Sequence, residues 1–261
     1  VPVSMDALAD DLAAESAELR AVLAALTEDQ WRQETPAEGW TILDQVSHLA
    51  YFDDVALRSA TDPDAFAAEK AAMDAEGGVS PDTIAARFRS MSGADMLAWF
   101  DEARIDLIAA FRELDPKTRV PWFGPAMSAA SSLTARIMET WAHAQDVYDT
   151  VDATHVPSDR IRHVAHIGVG ARPFSYLAHG LEMPDVPIRV ELTAPDGATW
   201  TWGPEGAPDR ITGPAEDFAL LITQRRHQDD LALTVEGPAA TEWARIGQAF
   251  AGEAGTGRKP L

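Results

Sequence analysis

The sequence predicts an α+β protein of two domains, a helical bundle over residues 1–180 followed by a small α+β domain over residues 181–261. Three observations carry that prediction. At 261 residues the chain is long for one core and comfortable for two. Up to about Ala178 the apolar residues recur at the three-and-four spacing of amphipathic helices, whereas from Pro184 onward they alternate as strand residues do. Hydrophobic residues make up 46 % of the chain, enough to fill both cores.

Met5 to Leu26 is expected as the first helix, because Leu8, Leu12, Leu19, Val22, Leu23 and Leu26 share a face and acidic residues crowd the first turns, where the helix dipole favours them. Pro36 and Gly39 then supply a turn. Thr41 is the expected N-cap of a second helix, with Asp44 three residues on and two adjoining stripes behind it: Ile42, Val46, Leu49 and Ala56, and beside them Gln45, His48, Phe52 and Val55. Residues 61–80 read as a loop holding a marginal helix, AFAAEKAAMDA. Pro81, after a capping Ser80, opens a helix expected to run to about Glu113 with a bend at Gly93, and Asp115-Pro116 ends it.

VPWFGPAMSAASS is not helical at its start, and it leads into a fourth helix whose apolar stripe is Leu133, Ile137, Trp141, Ala144 and Tyr148. After a linker, Asp159 to Ala178 reads as a fifth helix. IRVELTA and ATWTWG, joined by PDG, form a hairpin signal. A short strand at Arg210–Thr212, a helix from Pro214 to Gln224, a strand LALTVEG and a helix AATEWARIGQAF complete the second domain, before a glycine-rich tail expected to be loose.

Charge narrows the partners. A net charge of −21 repels phosphate backbones and anionic lipids, so neither nucleic acid nor a membrane surface is an expected partner. No apolar run reaches about eighteen residues, and the acidic start lacks the pattern of a signal peptide, which together read as a cytoplasmic protein. The expected partner is a small-molecule substrate, and the expected state a monomer or homodimer. Cysteine is absent, so any thiol used in chemistry arrives from outside.

Glu139 and His143, four residues apart, stack on one face of the fourth helix within reach of a single ion. His48 on the second helix is the third candidate, since bundles build metal sites from facing helices. The plainer alternatives are a core-edge histidine and a solvated Glu–His pair, because E-x-x-x-H is common by chance. His163 and His166 form a rival pair at i, i+3. Trp122 and Phe123, on a loop constrained by prolines, either wall a pocket for a cofactor or anchor the loop to the core.

GWTILDQVSHLA, METWAHAQDV and an appended α+β domain resemble the DinB-like superfamily of metal-binding bundles. More closely, they resemble the mycothiol-dependent maleylpyruvate isomerase family, whose second domain is SCP2-like. VPWFGPAMSAASS, ELTAPDGATWTWGP and DFALLITQRRH are similar to an actinobacterial metal-binding subfamily of it. The resemblance implies metal ligands at His48, Glu139 and His143, and an arginine needed for activity at Arg225, with Arg226 as its alternate, although relatives carry a glycine where this chain has Gln224.

Two imidazoles and a carboxylate suit Zn2+ with an open coordination position, and accept other divalent ions. The resemblance implies mycothiol as thiol cosubstrate, hence isomerase or thiol-transferase chemistry on a small, anionic electrophile. Within that reading Asp146 orients His143 from behind and Arg225 grips a substrate carboxylate; the alternatives are an idle helix acid and a surface arginine. Two other functions stay open: a thiol-independent hydrolase or lyase, and a metal-binding or stress protein without turnover.

Overall fold

The structure is a computed structural model and describes residues 4–261. The chain divides into two compact units, one ending at His155 and the other Val156–Leu261. The sequence places the boundary after residue 180; the helices over 161–178 instead belong with the second unit, because the first of them packs on a helix over 215–222.

The first unit is built on four long helices. α1 (Met5–Leu23) starts where the Ser4 hydroxyl accepts from Ala7 N–H, and a short α2 (Glu28–Trp31) follows. α3 (Ile42–Thr61) opens with a reciprocal capping box between Thr41 and Asp44, as the sequence predicts. α4 (Pro63–Ala75) is a full helix where only a marginal one is expected: Asp62 caps it, Pro63 occupies its first turn, and Phe66 and Met73 bury its inner face.

The single helix expected over 81–113 is two, α5 (Pro81–Ala86) and α6 (Gly93–Arg112). Ser92 accepts from Asp95 N–H and restarts the chain, while Gly93 lies against the Trp31 ring. β1 (Arg119–Val120) and β2 (Met127–Ser128) pair as a small antiparallel ribbon around Trp122 and Phe123, and β2 leads into α7 (Ala129–Val151).

α1, α3, α6 and α7 close a bundle in which each contacts two others along its length. Its core is two apolar clusters. Leu19, Val46, Leu49, Phe100 and Tyr148 belong to one, and Leu8, Leu12, Leu107, Phe111 and Ile137 to the other. Between them in each helix sits a polar residue: Ser16, Asp53, Arg104 and Thr140, all buried. The Arg104 guanidinium donates to Asp53 at 2.6 Å, Ser16 at 2.7 Å and Thr140 at 2.9 Å, so one side chain ties its helix to the other three.

In the second unit the helix expected over 159–178 is divided into α8 (Ile161–Gly170) and α9 (Arg172–Ala178), with Pro173 in the first turn of α9. β3 (Ile188–Thr193) and β4 (Thr199–Trp202) form the expected hairpin, β5 (Asp209–Pro214) runs parallel to β3, and β6 (Thr234–Glu236) is antiparallel to β5, giving the order β4-β3-β5-β6. α10 (Ala215–Ile222) and α11 (Pro238–Ile246) pack on this sheet through Phe218 and Trp243, both buried. The tail carries no helix or strand, yet Leu261 N–H donates to Asp230 at 3.0 Å. No helix among the described residues is long and apolar enough to cross a membrane.

Candidate metal centre

The Thr41 cap fixes the start of α3, and with it the phase that turns Gln45 and His48 toward α7. On α7, Glu139 and His143 share a face at i, i+4. The three side chains meet: His48 Nε2 lies 3.3 Å and His143 Nε2 3.2 Å from Glu139 Oε2, and one ligand atom from each lies within 4.8 Å of the others. This is the one such cluster among the described residues. The side chains are 13 %, 18 % and 12 % exposed for His48, Glu139 and His143, so the cluster is recessed yet reachable.

Ligand atoms on a tetrahedral ion with bonds of about 2.0–2.1 Å stand about 3.3 Å apart, which both histidine–carboxylate separations match. Burial pushes the Glu139 carboxyl up, but the hydrogen bonds and charges of His143 and His48 outweigh it and hold the group well below the usual carboxylate range. An anionic oxygen between two imidazoles is a donor set that fits a divalent cation.

Aromatic rings enclose the cluster. Trp40 stacks over His143 with centroids 6.0 Å apart and reaches His48 at 5.5 Å, while its indole N–H donates to Asp82 at 2.6 Å. On the other side Phe52 lies 4.7 Å from His48, and Trp122 and Phe123 stand 6.3 and 6.2 Å beyond Phe52. The loop pair is therefore one ring removed from the histidine, and it also packs on buried Phe66.

Asp146 is fully buried on α7, and His143 Nδ1 stands 2.5 Å from Gln45 Oε1. The rival histidines do not form a ligand set: His166 Nδ1 accepts from Trp202 Nε1, and the metal-type cluster excludes both His163 and His166. Arg225 belongs to the second unit, in the turn after α10, where its Nη1 donates to Thr223 O. Gln224 before it has φ 58°, the left-handed conformation that glycine adopts freely, so the chain keeps the backbone shape of a glycine there without the residue.

Sequence reasoning missed Gln45 and Trp40. A polar residue three positions before His48 on a stripe otherwise apolar was the available sign for Gln45. Trp40 lies in a stretch where Pro36 and Gly39 predict only a turn.

A four-helix bundle bearing a recessed His–Glu–His cluster, followed by a unit with a four-stranded mixed sheet, defines the class of protein. Residues 12–148, more than half of the chain, match the family described as Mycothiol maleylpyruvate isomerase N-terminal domain, and the chain belongs to that family. Residues 184–236 match the family described as Wyosine base formation. Two uncharacterized proteins of Mycobacterium tuberculosis, from strains CDC 1551 / Oshkosh and ATCC 25618 / H37Rv, are each 42 % identical over 248 residues, covering 95 % of this chain and 96 % of theirs. The crystal structure of the mycothiol-dependent maleylpyruvate isomerase superposes with a TM-score of 0.62 at 16 % identity, over 91 % of this chain and 96 % of that one. A structure of a mutant of that isomerase gives 0.61 at 15 % identity over the same shares. At such identities the likeness is one of fold, and it spans both units.

Proposed function

We propose that the chain is a metal-dependent, thiol-using enzyme of the isomerase or thiol-transferase type, acting on a small electrophile, with His48, Glu139 and His143 as the metal ligands. The observation that carries the reading is the convergence of three ligand atoms from two helices within 4.8 Å. Family membership adds the thiol, since the family is named for mycothiol.

A divalent ion held there supplies Lewis acidity that lowers the pKa of a thiol or water joining it. The protein's own groups do the rest. Glu139, held anionic, offsets the charge of the ion, and Trp40 shields the two imidazoles from bulk water. Phe52, Trp122 and Phe123 offer an apolar wall beside His48 for the carbon skeleton of a substrate. Arg225 is proposed only by its match to the family's arginine, as a guanidinium able to hold a carboxylate through paired N–H donors.

The test is spectroscopic. With Co2+ in place of the native ion, added mycothiol is expected to produce a sulfur-to-metal charge-transfer band. A spectrum unmoved at saturating thiol rejects the thiol route and leaves thiol-independent hydrolase or lyase chemistry, or metal binding without turnover. Thiol-dependent loss of maleylpyruvate-like, epoxide or enoyl compounds then identifies the electrophile.

A further inference from the structure

A neutral imidazole has one lone pair, so the nitrogen that carries the proton decides whether a histidine can ligate through the other. The two histidines of the cluster differ in this respect. His143 Nδ1 is 2.5 Å from Gln45 Oε1, whereas His48 Nδ1 is buried with no hydrogen-bond partner among the described residues.

Gln45 is fully buried, so its amide has no water to turn to. What orients it lies one step further out. The Thr35 hydroxyl donates its one proton to the Trp40 carbonyl at 2.8 Å and accepts from Ala37 N–H at 3.3 Å. It therefore presents a lone pair to Gln45, and the group that meets it at 2.8 Å is the amide NH2. Turning the amide over would pull the Thr35 proton away from Trp40 and leave this buried set one hydrogen bond short. The Gln45 carbonyl oxygen consequently faces His143, where only a protonated Nδ1 satisfies it.

This matters because Glu139 pulls the other way. Its carboxylate, 3.2 Å from His143 Nε2, draws a proton to the nitrogen that has to be bare to bind an ion. We propose that Gln45, held by Thr35, is a positioning residue that keeps the His143 proton on Nδ1 and so aims an Nε2 lone pair into the cluster. His48 has no such constraint. The proposal rests on the reading of these three residues as metal ligands, but the tautomer is a property of the metal-free protein and is measured without any ion.

Two readouts on the full chain decide it. In the metal-free protein, long-range proton–nitrogen NMR at a pH where the ring is neutral is expected to find the His143 proton on Nδ1, and in Gln45→Leu on Nε2. Competition with a chromophoric chelator is expected to show Zn2+ bound about 10–100-fold more weakly by Gln45→Leu. Gln45→Glu, which keeps an acceptor oxygen, should stay within a few-fold of the wild type. Thr35→Val, which frees the amide to turn, should give a partial loss, and it replaces Gln45→Leu if that variant does not fold. Equal Zn2+ affinity in wild type and Gln45→Leu, or in wild type and Thr35→Val where that stands in, overturns the proposal while leaving the metal reading intact. So does a wild-type proton on Nε2. If the wild type takes up no Zn2+, the metal reading fails and the tautomer measurement alone decides the role of Gln45.

Discussion

His48 Nε2 and Glu139 Oε2 stand 3.3 Å apart across 91 residues of sequence, and the second imidazole, His143, reaches the same oxygen at 3.2 Å. Removing either imidazole leaves two donors, too few for a tight site. His48→Ala and His143→Ala are therefore each expected to lower Zn2+ affinity by more than about 100-fold, since losses behind the ligands alone reach that size. The bundle should remain folded, because both side chains sit at the recessed edge of the core and not in its apolar clusters. Metal analysis after dialysis, beside a circular dichroism spectrum, checks both halves; full metal occupancy in His143→Ala removes it from the ligand set.

How far the sequence reached is clear from single residues. The Thr41 and Asp44 cap and the hairpin around PDG were legible because each rests on local spacing or turn chemistry, whereas the facing of His48 with Glu139 and His143, across 91 residues, was legible only through the family resemblance. The break before α6 was not, since Phe88 and Met91 prolong a helical apolar pattern across it, while the groups that hold the broken segment, Arg32 on the Arg89 and Met91 carbonyls and Glu28 on Gly93 N–H, lie 57 to 65 residues upstream. Gln45 escaped for a similar reason: its partners Thr35 and His143 belong to other elements, and no spacing within α3 announces them. The parallel pairing of β3 with β5 was likewise invisible, because alternation marks strands and not their neighbours.

Gly93, at the start of α6, is closely packed. A β-carbon there would stand 2.3 Å from the Trp31 ring, which is 3 % exposed and has little room to give. Alanine gains helix propensity of up to about 1 kcal/mol over glycine. Overpacking a buried ring costs about 1–3 kcal/mol, so the net effect of Gly93→Ala is expected to be destabilising. A lowered urea midpoint checks it, and a raised one shows that the ring can move.

Tyr51 offers a prediction in pH. Burial, together with the hydrogen bond its hydroxyl donates to Glu69 at 2.9 Å and the charge of that carboxylate, pushes the phenol from its ordinary 10.0 up to about 12. The folded state thus holds the proton more tightly than the unfolded chain. Its contribution to stability is complete below about 10 and is lost as pH rises toward about 12. Glu69→Gln keeps an acceptor but removes the charge, so Tyr51 should ionise at lower pH, visible as an earlier phase in the ultraviolet titration. An unchanged titration shows that the charge of Glu69 contributes nothing and leaves burial and the hydrogen bond as the causes.

A buried polar layer separates the two apolar clusters of the bundle. Asp53 is the carboxylate between two buried guanidinium groups, 2.6 Å from Arg104 Nε and 3.1 Å from Arg136 Nε, with none of the three more than 5 % exposed. Burial draws the Arg104 pKa down, and Asp53 is the main force opposing it. Asp53→Asn keeps the shape but takes away the charge, leaving two cations facing each other across a neutral amide. Breaking a buried pair from one side costs about 3–5 kcal/mol, because the remaining charge stays desolvated. The variant is expected to lose that much in urea unfolding of the bundle. Replacing the layer as a whole, with Asp53→Leu, Arg104→Met and Arg136→Met together, should restore much of the loss, since no buried charge then lacks a partner. If the single variant unfolds at the wild-type midpoint, the layer is wetter than its burial implies, and the joining of four helices through Arg104 contributes little to stability.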